Sequence, residues 1–94
     1  MPDAIDPADT VAALALAVPG VAALHPGMFG EVGTYLPGRR VTGVRIRDDA
    51  VDVHITVWDT VPVRDTAAAV RDAVAAGLPG HTINVTVEDV TDRL

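Results

Sequence analysis

From Val51 to Trp58 apolar and polar residues alternate without a break, Val-Asp-Val-His-Ile-Thr-Val-Trp. Successive side chains of a strand point to opposite faces, so Val51, Val53, Ile55 and Val57 face a core, and Asp52, His54, Thr56 and Trp58 face away from it. Ile83 to Glu88 repeats the pattern, with Asn84, Thr86 and Glu88 on the polar side. Val41 to Arg47 predicts a third strand, with Val44 and Ile46 inward and Arg45 and Arg47 outward. A two-residue turn at Asp48-Asp49 then pairs Ile46 with Val51, Val44 with Val53 and Arg45 with Asp52; a three-residue loop would oppose inward and outward side chains. An exposed Arg45–Asp52 ion pair follows, worth at most about 1 kcal/mol.

Two segments carry helical spacing instead. Asp6-Pro7 reads as an N-cap followed by proline at the first helical position, with Asp9 in the first turn. Val11, Leu14 and Val18 form the apolar stripe of that helix, and Pro19-Gly20 ends it. Pro62 opens a second helix reaching about Ala76, with Val63, Ala67, Val70 and Val74 inward and Arg64, Asp65, Arg71 and Asp72 on the other side. Gly77 is placed to take the left-handed C-terminal cap before Pro79-Gly80. Val21 to Leu24 reads as a short strand, and His81 to Val90 as the last one. Residues 26–43, punctuated by five glycines, are expected to hold an irregular edge strand near Glu31 to Leu36. Residues 1–5 are read as a frayed start.

The order is helix, strand, irregular strand, strand, strand, helix, strand. It predicts a single α+β domain in two layers, with two helices packed on one face of a three- to four-stranded mixed sheet. Ninety-four residues suffice for one thin core. The chain has no cysteine, which excludes disulfides and thiol chemistry, and its seven basic residues are all arginine, which excludes Schiff-base chemistry. A net charge of −6 argues against bulk affinity for nucleic acid or anionic membranes. An acidic start and a longest apolar run of only Val11 to Val18 make a cytoplasmic protein the expectation.

Few residues are arranged for chemistry. His25, His54 and His81 share no ligand spacing, so neither a metal nor a cofactor is expected. His54 and Asp52 are neighbours on one strand face, but no nucleophile accompanies them and no catalytic residue is assigned. The glycines from Gly27 to Gly43 lack the lysine of a phosphate-binding loop. Arg39, Arg40, Arg45 and Arg47 concentrate positive charge within nine residues, followed at once by Asp48, Asp49 and Asp52. They form either an anion-binding patch or a solvated hairpin. Trp58 either projects outward as an interface anchor or bends inward to cap the core.

The hairpin from Gly43-Val44-Arg45-Ile46 through Val57-Trp58, the proline-initiated helix, and Ile83-Asn84-Val85-Thr86-Val87 followed by Asp89-Val90 together resemble the alkaline shock protein family. Pro19-Gly20-Val21-Ala22-Ala23-Leu24 matches the opening of that family, and the resemblance runs from about Val11 to Val90. Its composition is similar to that of a short actinobacterial version, with Trp58-Asp59 where the family often carries Tyr-Gly. The resemblance implies a non-enzymatic envelope stress response protein of Gram-positive bacteria. It implies self-association, and attachment to the inner side of the cell membrane through a separate small membrane-anchor protein. The expected interaction surface is the polar sheet face, namely Arg45, Arg47, Asp52, His54, Thr56, Trp58, Asn84, Thr86 and Glu88, or an edge strand, since edges need pairing or protection. The alternative is a small RNA-binding module that uses the same open face through Arg45, Arg47 and Trp58.

Overall fold

A computed structural model describes residues 5–93. Its elements are α1 (Pro7–Leu16), β1 (Val21–Leu24), β2 (Gly33–Leu36), β3 (Arg39–Thr42), β4 (Val44–Arg47), β5 (Ala50–Trp58), α2 (Val63–Gly77) and β6 (Thr82–Thr91). The fold is α+β, with both helices on one face of a mixed sheet. The fraying expected at the start lies, for residues 1–4, outside the described residues.

The strand with the purest alternation, β5, lies at the centre of the four-stranded sheet. One of its edges is shared end to end by two antiparallel neighbours. β4 pairs with its first half, Arg45 opposite Asp52 and Ile46 opposite Val51, in the register set by the Asp48-Asp49 turn. β1 pairs with its second half, from Leu24 opposite Ile55 to Val21 opposite Val57. The two meet at His54, whose N–H donates to the Gly43 carbonyl at 2.9 Å and whose carbonyl accepts from the His25 N–H at 2.8 Å. The other edge of β5 carries β6 in parallel.

Val51, Val53, Ile55 and Val57 are fully buried, as their parity requires, against Val11 and Ala15 of α1 and Val70 and Val74 of α2. Burying each such side chain contributes about 1.5–3 kcal/mol. Asp6 caps α1, its carboxylate accepting from the Ala8 N–H at 2.9 Å, and Pro7 occupies the first turn.

Several expectations are corrected. The strand expected over Val41 to Arg47 is broken at Gly43, whose φ of +79° turns the chain out of β3 and into β4. The edge strand expected from Glu31 is shorter and lies outside the main sheet, because β2 and β3 form their own hairpin. That hairpin is anchored by the Thr34 hydroxyl, which donates to the Val44 carbonyl at 2.6 Å. Gly77 is the last residue of α2 and does not take the left-handed conformation. A side chain there would meet Leu14 of α1, so this glycine permits close approach of the two helices. The α2 stripe is Thr66, Val70 and Val74, with Val63 exposed, because Thr66 returns its hydroxyl to the Pro62 carbonyl and turns inward. In α1, Ala8, Val11 and Ala15 are buried, while Val18 lies in the turn beyond it.

Candidate interaction surface

The face of the sheet away from the helices carries the expected polar residues, but most of them are already bonded to one another. Asp52 accepts from Arg47 at 2.8 and 3.0 Å and from the Asn84 amide at 3.1 Å. The expected Arg45–Asp52 pair does not form, although the two are in register. Arg45 donates instead to the Glu31 carbonyl at 2.9 Å, tying the loop after β1 to this face. Hydrogen bonding from its own N–H and that of Phe29, with Arg45 and His54 nearby, holds the Glu31 carboxyl below its usual range.

His54 does not pair with Asp52 either. Its Nδ1 lies 2.6 Å from Glu88 Oε2, and the two side chains are only 19% and 14% exposed. A bulge makes this contact. β6 runs in register from Ile83 opposite Val51 to Val87 opposite Ile55, then resumes with Asp89 opposite Thr56, leaving Glu88 as the extra residue. Parity after the bulge is shifted, so Val90, not Asp89, pairs with an inward residue, Val57. The consecutive polar residues Glu88-Asp89 between Val87 and Val90 are the signal of that bulge in the sequence.

Trp58 is half-buried, with the Arg93 guanidinium 5.3 Å from its ring centre. The four clustered arginines are dispersed onto separate partners. Arg39 forms a bidentate pair with Asp9 of α1 at 2.6 and 2.7 Å, lowering the Asp9 carboxyl pKa through that hydrogen bond. Arg40 donates to the Gly30 and Val32 carbonyls and lies over the Tyr35 ring, Arg45 holds Glu31, and Arg47 holds Asp52. Of the nine expected surface residues, Asn84, Thr86 and Arg47 are the best exposed, and Thr56 is buried. Thr86→Lys is therefore expected to leave the free energy of unfolding unchanged, while Thr56→Lys lowers it by about 2 kcal/mol or more through burial of a charge, as chemical denaturation would show.

Two features lie beyond the polar face itself. Met28, Phe29 and Tyr35 project into solvent, Phe29 at 92% exposure. The other is at the sheet border. Among the described residues no strand pairs with the outer edge of β6. Between that edge and α2 lies a groove of about 390 Å³ lined by Arg64, Ala67, Ala68, Arg71, Ile83, Asn84 and Val85. The alternating pattern shows that β6 is a strand; only the tertiary arrangement shows that it is the border. Among the described residues no group of three or more potential ligands could hold a metal, and no helix is long and apolar enough to cross a membrane.

No family model matches the chain, and no curated protein matches its sequence. A solved structure of a MamM CTD variant is similar over 94% of this chain and 93% of its own, with a TM-score of 0.56 and 17% sequence identity. At that identity the likeness is one of fold: the arrangement of two helices on a mixed sheet recurs in a protein of different sequence.

Proposed function

We propose that this chain is a non-enzymatic, self-associating interaction module. The observation that carries the reading is the ten-residue strand β6, whose outer edge pairs with no strand among the described residues. Such an edge presents a row of unused backbone donors and acceptors, a template for pairing with another chain. The polar side chains that might have served catalysis or anion binding are largely taken up by bonds within the chain. The finer reading is a role in the envelope stress response of the alkaline shock type, with a membrane-anchor protein as partner. It is supported by the Gly43 to Trp58 and Ile83 to Val90 patterns. The RNA-binding alternative has less support, because Arg45 and Arg47 are engaged and Trp58 lies against Arg93.

Light scattering after size exclusion at several protein concentrations tests the reading. The mass is expected to rise from that of one 9.7 kDa chain to twice that value with concentration. A single-chain mass throughout would overturn it.

A further inference from the structure

The direction of the free groups on β6 follows from its bonds to β5. The Thr82 N–H donates to the Asp49 carbonyl at 2.7 Å, and the Thr91 carbonyl accepts from the Asp59 N–H at 2.9 Å. Backbone groups alternate sides along a strand, so Ile83, Val85 and Val87 turn theirs to the open border. Beyond the bulge Val90 does the same, and its N–H is held by the Asp89 carboxylate at 2.9 Å. The Val90 side chain, on the helix side, is 48% exposed.

Charge is distributed unequally along this border. Beside its first half, on α2, stand Arg64 and Arg71, both exposed. Arg64 makes no ion pair among the described residues, and Arg71 has only Asp72 at 3.9 Å, in a pair exposed to solvent. Its second half carries Asp89 and is followed by Asp92, both exposed. An antiparallel partner of the same sequence brings the acidic end of one strand against the arginines of the other, twice over.

We propose that β6 pairs antiparallel with β6 of a second copy about a two-fold axis at Val87. This deepens the self-association reading and rests on it. The pleat selects the register. Inward residues must oppose inward residues, and with the extra residue of each bulge set aside, Val85 faces Val90 of the second copy and Ile83 faces its Asp92. Asp92 then lies on the helix side of the sheet, at the mouth of the groove between Arg64 and Arg71. Val85, Val87 and Val90 of both copies form one apolar row beneath the two α2 helices. Ala67 and Ala68, small residues on α2, leave the groove open to receive it. The bond from Val90 to Asp89 exchanges for one to the opposing strand.

This register places Asn84 opposite Thr91 of the second copy on the outer face, as a non-hydrogen-bonded pair whose Cα atoms are about 4.5 Å apart. The chain has no native cysteine to interfere. Asn84→Cys protein mixed with Thr91→Cys protein under mild oxidation is expected to give a disulfide-linked mixed dimer, and neither variant alone to do so. In parallel, the double variant Arg64→Glu, Arg71→Glu is expected to raise the dimer dissociation constant at least tenfold, and adding Asp92→Arg to restore most of the loss. Dimers of native mass with no mixed cross-link and no response to charge reversal would overturn the β6 pairing and leave self-association standing. A single-chain mass at every concentration would overturn both.

Discussion

Gly43→Val is expected to destabilise the protein by about 3–5 kcal/mol, a large share of what a domain of this size has to lose. Two costs combine. The backbone at Gly43 has φ +79°, a region that a β-branched residue enters only with strain. A side-chain carbon there would also stand 2.9 Å from the His54 carbonyl oxygen and 3.0 Å from both the N and the O of His25. All three are backbone atoms at the point where β1 and β4 meet on β5, so none can yield without opening the sheet. Gly38 provides the control. It has φ +74°, yet no atom lies within 4 Å of where a side-chain carbon would be. Gly38→Val should therefore cost only the conformational part, about 1–2 kcal/mol. Urea unfolding of both variants measures the difference, and equal losses would show that the junction is not rigid.

Ile55→Ala is expected to cost about 4 kcal/mol. Ile55 is fully buried, is among the largest such side chains, and lies between β1 on one edge of β5 and β6 on the other. A strand bonded on both edges cannot move inward to fill the space, so the cavity term adds to the lost transfer energy. Its neighbour across the sheet, Val87, is only half-buried at the border, and Val87→Ala should cost about 1 kcal/mol. Unfolding midpoints at unchanged denaturant dependence would check both values. A loss below about 2 kcal/mol at Ile55 would mean that the helices settle onto the sheet.

The features legible in the sequence are those decided by near neighbours in the chain. Period-two alternation gives β5 and the faces of its residues, the short Asp48-Asp49 turn gives the register of β4, and Asp6-Pro7 gives the start of α1. What could not be read depends on where distant segments arrive. Gly43 and Gly77 both look like punctuation, but one breaks a strand beneath crossing backbones and the other admits Leu14. Long side chains are harder still. Arg39, Arg40, Arg45 and Arg47 are consecutive enough to suggest one patch, yet each reaches a different partner, from Asp9 to Asp52. The polar sheet face was legible as a face, but its engagement in bonds within the chain was not. The groove beside β6 had no local signal, since its arginines lie on α2 and its Ile83 and Val85 on β6.

The shared edge of β5 also sets a limit on assembly. With β1 and β4 laid end to end along it, that side of the sheet finishes in two four-residue strands. The Val44 carbonyl is already taken by Thr34 from the β2–β3 hairpin. Among the described residues only β6 offers a long template, and a two-fold contact uses the same template on both molecules. Once two chains have met there, neither has a comparable border left. The geometry thus favours a closed pair over an open-ended fibre, and an exposed valine-rich strand can be carried without seeding runaway polymerisation.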